Sequence, residues 1–232
     1  MKVGVLLSGS GVYDGTEIHE AVLTLLALDK LDAEVQCIAP DIEQHHVINH
    51  MTGEEMPEKR NVLIESSRIA RGNIKPLSEV SADDFDALAI PGGFGAAKNH
   101  TKWAFSGPKG DINPEVKALI VELIKKHKPI AALCMSPTTL AKALEGTGVE
   151  ANLTVGTTEA PSPYDIEAIS EGMDSLGAKA VYCDTTHVIV DDTNNLVTTP
   201  CYMMEASVSE VFIGIEKAMT KLVEMANLHA QS

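Results

Sequence analysis

Short apolar runs along the chain alternate with longer segments of helical periodicity. Four runs have the length of buried strands, at residues 3–7, 34–39, 87–90 and 130–133. Apolar positions three or four residues apart predict helices at about residues 17–31, 60–71, 114–126, 136–144, 164–175 and 205–225. Shorter strands are predicted at residues 153–155, 181–184, 188–190 and 196–198, with a hairpin turn at residues 192–195. Strands that alternate with helices predict a parallel α/β sheet, and the lack of a linker or repeat predicts one domain over residues 1–232.

Composition indicates an acidic globular protein. The chain has 232 residues, of which 44% are hydrophobic and 22% charged, enough for a sizeable core. A net charge of −15 argues against nucleic acid or an anionic membrane as partner. No apolar run approaches the roughly 20 residues that span a bilayer. The first strand begins directly after Met1-Lys2, so we expect no signal peptide and a cytoplasmic protein with reduced thiols.

Cys134 stands between a predicted strand and a predicted helix. Ser136-Pro137 has the pattern of a serine N-cap followed by proline at the first helical position. A cysteine at such a turn presents its sulfur above the sheet edge, as in a nucleophile elbow. Helix amides and the helix dipole predict a lowered thiol pKa. The alternative is a buried cysteine that packs as a small hydrophobe.

Two glycine-rich turns follow predicted strands. The turn Pro91-Gly-Gly-Phe-Gly95 can expose backbone N–H groups that form an oxyanion cradle opposite a nucleophile. Gly9, Gly11 and Gly15 match neither the dinucleotide-binding nor the Walker A spacing, so we favour a tight turn over a phosphate site.

Three histidines, His45, His46 and His50, lie in the polar segment 41–59. They could suggest zinc, but adjacent histidines in a loop point in different directions and no cysteine completes a ligand set. We therefore favour a solvated loop over a metal site. We expect this segment and the irregular segment 96–110 to shape the pocket.

Eight short motifs carry a family resemblance. They are Gly11-Val-Tyr-Asp-Gly15, Glu17-Ile-His-Glu-Ala21, Val47-Ile-Asn-His50, Thr52-Gly-Glu54, Arg60-Asn-Val-Leu-Ile-Glu65, Arg68-Ile-Ala-Arg-Gly72, Pro91-Gly-Gly-Phe-Gly-Ala-Ala-Lys-Asn99 and Val197-Thr-Thr-Pro200. On these motifs the chain resembles the PfpI-type superfamily, related in fold to class I glutamine amidotransferases. Within it, the chain is similar to the ElbB-like branch of glyoxalase or enhancing-lycopene-biosynthesis proteins. The resemblance covers nearly the whole chain. It implies a flavodoxin-like, doubly wound, mostly parallel sheet with helices on both faces, and a homodimer.

The resemblance also implies residue roles. Cys134 would be the nucleophile, and a glutamate of the first helix, Glu20 by position, would point at its sulfur. Glu17 shares that helix face and is a second candidate. The alternative is that both glutamates are exposed carboxylates that complement the helix dipole.

The histidine that many superfamily members carry on the strand after the nucleophile is missing, because residues 152–158 contain none. His187 is the only histidine between Cys134 and the terminal helix, and its place at the start of a strand favours a strand-edge role. Amide hydrolysis and proteolysis need an acid for a poor leaving group, so both are disfavoured. Glutamine amidotransfer is disfavoured too, because no His-x-Glu follows the cysteine.

A cysteine–glutamate pair suits addition to an aldehyde, because an aldehyde has no leaving group to protonate. In this hypothesis the Cys134 thiolate adds to glyoxal or a related small α-oxoaldehyde. The turn at Gly92 and the backbone N–H groups of Gly93 and Met135 stabilise the oxyanion. Glu20, its pKa raised by burial, moves a proton between the two carbons to give a hydroxy acid. The hypothesis describes a glyoxalase III-type lyase or hydratase that requires no metal or organic cofactor, and the resemblance implies that its activity is weak.

The same residues allow a function without turnover. An exposed thiol of low pKa is readily oxidised, and a neighbouring carboxyl can hydrogen-bond the product. The alternative is therefore a redox or stress sensor, or a chaperone-like binding protein.

Overall fold

The computed structural model of the protein describes residues 1–230. Its strands are β1 (Lys2–Leu6), β2 (Glu34–Ala39), β3 (Ile74–Pro76), β4 (Ala87–Ile90), β5 (Ile130–Leu133), β6 (Asn152–Leu153), β7 (Lys179–Ala180), β8 (Ile189–Asp191) and β9 (Leu196–Thr199). Its α-helices are α1 (Ile18–Lys30), α2 (Val62–Ile69), α3 (Trp103–Ser106), α4 (Pro114–Lys125), α5 (Ser136–Leu144), α6 (Ile166–Asp174) and α7 (Val208–His229). Short 3-10 turns lie at Leu77–Glu79, Ala82–Asp84, Gly107–Lys109 and Cys201–Met203, and a π-helical turn lies at Ala96–His100.

The central sheet has the spatial order β3-β2-β1-β4-β5-β9-β8, and β6 and β7 form a separate pair. All neighbours in the central sheet are parallel except β8 and β9, which are antiparallel. The chain runs outward from β1 in one direction and from β4 in the other. Right-handed crossovers that run in opposite directions place helices on both faces. This is the flavodoxin-like, doubly wound sheet that the sequence predicted, with its switch point between β1 and β4.

The two middle strands of the core, β4 and β5, have no exposed residue. Every position in both strands is apolar, because a parallel sheet is covered by helices on both faces. On one side α7 packs against α1 and also contacts β4, β5 and β9. β4 and β5 themselves therefore contribute no polar side chain to the core.

Several predicted boundaries agree with the structure and others do not. The bounds of β2, β4 and β5 are as predicted, and the hairpin joins β8 to β9. The strand predicted at residues 181–184 is wrong, because the short edge pair forms at β7 instead. The three-residue strand β3 was missed, since three residues are too few to show a period.

Two further differences concern helical segments. The helix predicted from residue 60 begins at Val62, because the Asn61 side chain accepts a 2.9 Å hydrogen bond from the Ile64 N–H and caps it. Segment 96–110, predicted to be irregular, consists largely of short helical turns. No helix within residues 1–230 combines the length and apolar character needed to cross a membrane.

Candidate active site

Cys134 is the residue that directly follows β5, at the carboxyl edge of the sheet. Its φ of +58° lies in the left-handed region, which residues with a side chain rarely adopt. The Cys134 N–H donates a 3.0 Å hydrogen bond to the Thr199 carbonyl at the end of β9. The residue is 5% exposed. The sheet itself therefore fixes the backbone that presents this sulfur.

Ser136 does not cap α5 as the sequence predicted. The N-cap position belongs to Met135, and Ser136 is the first helical residue. The Ser136 hydroxyl instead donates a 2.8 Å hydrogen bond to the Pro91 carbonyl. This buried bond joins the start of α5 to the glycine turn after β4, so that the two turns around Cys134 form one unit.

Glu20 lies in the first turn of α1 with no exposed surface. Its Oε2 accepts a 2.8 Å hydrogen bond from the Gly92 N–H. Its Oε1 has no hydrogen-bond partner of normal geometry within the described part of the chain. Burial, and then the neighbouring Glu17 charge, raise the pKa of Glu20 to about 8, although the Cys134 thiol and the Gly92 N–H oppose the rise. The alternative of an exposed helix-start carboxylate is wrong for this residue.

Gly92 separates the carboxyl group from the cysteine. A Cβ at this position would lie 2.3 Å from Cys134 Cβ, 2.7 Å from Glu20 Oε2 and 2.9 Å from Cys134 Sγ. Only glycine fits in this space. Gly93 has a φ of +96° and an equally close fit, because a Cβ there would lie 2.3 Å from the Glu17 backbone nitrogen.

The pKa of the Cys134 thiol is raised well above its ordinary value, not lowered as the sequence predicted. Burial is the largest cause, and the Glu20 charge is the next. The backbone N–H groups of Gly93 and Met135 favour the thiolate but do not offset these two effects. A resting thiol and a resting carboxylic acid therefore face each other at neutral pH.

Glu17 is the N-cap of α1. Its Oε2 accepts a 2.7 Å hydrogen bond from the Glu20 N–H, and its own N–H donates a 3.0 Å bond to the Gly92 carbonyl. It is only 9% exposed, and burial raises the pKa of its carboxyl group. Glu17 thus fixes the start of α1 and also contributes to the cavity wall.

The sulfur of Cys134 borders a cavity of about 20 Å³. Its lining residues are Val12, Glu17, Gly93, Phe94, Cys134, Met135, Tyr164, Tyr202 and Met203. The Phe94 and Tyr164 rings meet edge to face, with centroids 5.9 Å apart. Segments 41–59 and 96–110 contribute nothing to this lining, so the prediction that they shape the pocket is wrong.

Sequence reasoning missed the aromatic residues of this wall. Tyr164 immediately precedes α6, and Tyr202 lies in the 3-10 turn after β9. The signal that could have found Tyr202 is its place two residues beyond the Val197-Thr-Thr-Pro200 motif. A strand next to β5 must end beside Cys134, so the residues after this motif were candidates for the site.

The histidines singled out in the sequence lie outside this cavity. His187 is exposed, and its Nδ1 lies 2.7 Å from Asp184 Oδ1. The His45 and His46 rings pack against each other and against Phe105. His50 accepts a 3.2 Å hydrogen bond from the Tyr13 N–H.

No group of three histidine, cysteine or acidic side chains arranged to hold a metal ion occurs among residues 1–230. The glycines at positions 9, 11 and 15 form a tight turn that hydrogen-bonds to itself. Within it, the Gly11 N–H donates to the Thr16 carbonyl and the Gly15 N–H donates to the Gly11 carbonyl.

Comparison with known proteins assigns the chain to a family. Residues 10–200 match the DJ-1/PfpI family. The chain belongs to that family. The superfamily that the sequence motifs predicted is thereby confirmed. The DJ-1/PfpI family includes some enzymes.

Two relatives resemble the DJ-1/PfpI chain along almost its full length. The human glutamine amidotransferase-like class 1 domain-containing protein 3, mitochondrial, is 42% identical over 97% of this chain and 83% of its own length. A crystal structure from Ehrlichia chaffeensis, described as an isoprenoid biosynthesis protein with an amidotransferase-like domain, has a TM-score of 0.87 and 33% identity. It covers 97% of this chain and 99% of that one. Drosophila melanogaster DJ-1beta, at 18% identity and a TM-score of 0.57, covers 99% of this chain and 95% of its own, and shares the fold alone.

Proposed function

We propose that the protein is a glyoxalase-like enzyme that converts glyoxal, or a related small α-oxoaldehyde, to a hydroxy acid. The observation that carries the proposal is the contact of Gly92 with both the buried Glu20 carboxyl group and Cys134. A buried carboxyl group with its pKa raised to about 8 exchanges protons near neutral pH. The position of this group beside a sulfur atom at the wall of a cavity supports the proposal.

In the reactive form the pair holds one proton, shared between thiolate and carboxyl group. The thiolate adds to one carbonyl carbon of glyoxal and forms a carbon–sulfur bond, while the carbonyl electron pair moves onto its oxygen. Backbone N–H groups of Gly93 and Met135 stabilise that oxyanion, and Glu20 protonates it to give the hemithioacetal. No leaving group departs, so this step needs no further acid.

The second half of the reaction moves hydrogen between the two carbons. The Glu20 carboxylate removes the C–H proton of the hemithioacetal, which leaves an enediolate, and returns the proton to the neighbouring carbon. The hemithioacetal hydroxyl proton passes to the second oxygen, and the first carbon becomes a thioester carbonyl. Water then hydrolyses the thioester to glycolate and restores the thiol. Atoms and electrons balance without an external oxidant.

The size of the cavity favours a very small substrate. A volume of about 20 Å³ is little more than the roughly 10–15 Å³ that a single water molecule needs. An aldehyde larger than this volume would have to displace the Tyr164 or Tyr202 ring. Glyoxal, with two carbons, requires the smallest displacement.

The test is glycolate formation from glyoxal in metal-free buffer by the wild type, Cys134→Ser and Glu20→Gln. Cys183→Ser is the matched control, since Cys183 is a half-buried cysteine absent from the cavity lining. Turnover in the wild type and the control, lost in both site variants, supports the proposal. Absence of turnover in the wild type, or activity that survives Cys134→Ser, contradicts it.

The burial of Cys134 argues against the sensor function. A thiol that is 5% exposed and has a raised pKa reacts slowly with peroxide, because the thiolate is the oxidised species. Mass spectrometry of peroxide-treated protein distinguishes the two. Cys134 oxidised before the other cysteines, in protein that shows no turnover, would favour the sensor.

The proposal also covers the cellular location, the oligomeric state and the partners of the enzyme. We propose a cytoplasmic homodimer that acts on a small aldehyde and not on nucleic acid or membranes, which the net charge of −15 supports. The description of the Ehrlichia chaffeensis protein supports a connection to isoprenoid biosynthesis. Light scattering tests the dimer, and cell fractionation tests the location. A monomer in solution, or recovery in mitochondria, contradicts these parts.

A further inference from the structure

Tyr202 brings a phenol to the wall of the Cys134 cavity and joins it to a histidine of α1. Its hydroxyl oxygen lies 2.9 Å from Nδ1 of His19, and the two ring centroids are 5.8 Å apart. His19 directly precedes Glu20 in the chain. The mechanism above uses neither of these side chains.

The backbone holds both partners in place. Tyr202 lies in the 3-10 turn Cys201–Met203, in which the Met203 N–H donates a 3.0 Å hydrogen bond to the Pro200 carbonyl. Cys201, the first residue of this turn, is fully buried at a φ of +48°. His19 is in the first turn of α1, which Glu17 caps. The phenol–imidazole contact is therefore set by two anchored segments.

We propose that Tyr202 donates a hydrogen bond to the second oxygen of the α-oxoaldehyde, and that His19 positions the phenol by donating its Nδ1–H to the phenolic oxygen. The inference rests on the glyoxalase-like function proposed above. The first oxygen, on the carbon that Cys134 attacks, accepts hydrogen bonds from the backbone N–H groups of Gly93 and Met135. The second oxygen carries the negative charge of the enediolate, and Tyr202 supplies the donor for it.

Burial, together with the charges around it, keeps the phenol protonated. Glu17, Glu20 and Cys201 face Tyr202, and burial together with these groups raises the pKa of its hydroxyl. A tyrosine in such surroundings donates a hydrogen bond and does not act as a base. Its proton stays on the phenol throughout, so proton transfer between the carbons remains with Glu20. His19 itself is exposed.

Tyr202 also explains how the chain works without the histidine that its superfamily often carries after the nucleophile. Tyr202 lines the cavity from the turn after β9, and its histidine partner comes from α1. A polar donor therefore lies at the cavity wall although residues 152–158 offer none.

The experiment is steady-state kinetics with glyoxal and with dideuterated glyoxal. Tyr202→Phe keeps the ring and removes the donor, so we expect kcat to fall about 100-fold, as for the loss of an oxyanion donor, with little change in KM. The deuterium isotope effect on kcat should rise, because C–H removal becomes more rate-limiting. A purely structural role would not change the isotope effect. Tyr182→Phe, at an exposed tyrosine outside the cavity lining, is the matched control and should behave as wild type.

The positioning role of His19 is tested in the same assay. His19→Ala should lower kcat by less than Tyr202→Phe, and His19→Asn should restore most of the loss because its amide can donate in place of Nδ1–H. If Tyr202→Phe has the same kcat and isotope effect as the wild type, the inference is overturned and the proposed function still stands. A wild type without turnover would overturn the proposed function, and this inference with it.

Discussion

The Gly92 N–H donates a 2.8 Å hydrogen bond to Glu20 Oε2, and a Cβ on the same glycine would clash with the Cys134 side chain. One residue thus holds the carboxyl group and makes room for the sulfur. The distance between the carboxyl group and the sulfur depends on the backbone of the turn after β4.

Gly92→Ala is therefore expected to damage both stability and activity. The new methyl group must displace the side chain of Cys134 or Glu20, and such overpacking costs about 1–3 kcal/mol. Urea unfolding and the glyoxal assay measure the two effects. Gly146→Asn is the control, since a Cβ there meets no atom within 4 Å and asparagine tolerates positive φ. Normal activity in Gly92→Ala would contradict the described contact.

The activity should rise with pH up to about 8. The reactive pair holds one proton, and the first of its two protons leaves with the Glu20 pKa of about 8. Below that pH we expect kcat/KM for glyoxal to rise about tenfold per pH unit, because this parameter reports ionisations of the free enzyme. Glu20→Gln should lose most activity, and its remainder should lack the step near pH 8. A wild-type profile that is flat from pH 6 to 9 would contradict the shared proton.

Stability should fall with pH over the same range. The folded pKa of Glu20 lies above its unfolded value of 4.5, so the folded state binds the extra proton between pH 4.5 and about 8. The contribution of this group to the free energy of unfolding has its full value below pH 4.5. It declines by about 1.4 kcal/mol per pH unit between pH 4.5 and about pH 8.

The measurement that isolates this contribution is urea unfolding of the wild type and Glu20→Gln at several pH values. Buried His100, whose pKa is lowered to about 4, changes stability in the opposite sense below its unfolded pKa near 6.5. The difference between the two proteins removes that contribution. A difference that does not change between pH 5 and 8 would contradict the raised Glu20 pKa.

Ser136→Ala should weaken the joint between the turns after β4 and β5, which is the hydrogen bond from the Ser136 hydroxyl to the Pro91 carbonyl. Loss of the hydroxyl leaves the buried Pro91 carbonyl without its 2.8 Å hydrogen bond, at a cost of about 1–3 kcal/mol. We expect activity to fall as well, because Pro91 precedes Gly92. Thr147→Ala is the matched control, since it removes a hydroxyl–carbonyl bond of 2.7 Å at the other end of α5. That control should keep full activity, and equal activity in both variants would contradict a role for the joint.

The sequence predicted the members of the site that follow strands directly. Cys134 comes straight after β5, Gly92 and Gly93 come soon after β4, and neighbouring parallel strands end at the same edge. The structure brings these residues together with Met135 and Glu20 for that reason. Their catalytic roles stay predictions.

What the sequence did not predict depends on tertiary packing. Tyr202 reaches the cavity only because β9 lies next to β5 in the sheet, an order that local patterns do not encode. The direction of the Cys134 pKa depends on burial and on the charge of Glu20, a residue distant in sequence. Ser136 looked like a cap because its hydroxyl partner, the Pro91 carbonyl, belongs to another loop.

The pairing of β5 with β9 has a consequence for biosynthesis. A ribosome makes chains from the amino end, so Cys134 is synthesised well before Thr199, whose carbonyl holds its backbone. Until β9 has been synthesised and pairs with β5, the Cys134 thiol of the nascent chain is not fully buried. A cysteine that is buried in the finished protein is thus open to oxidants during translation, and cells under peroxide stress should accumulate damage there in newly made chains rather than in old ones.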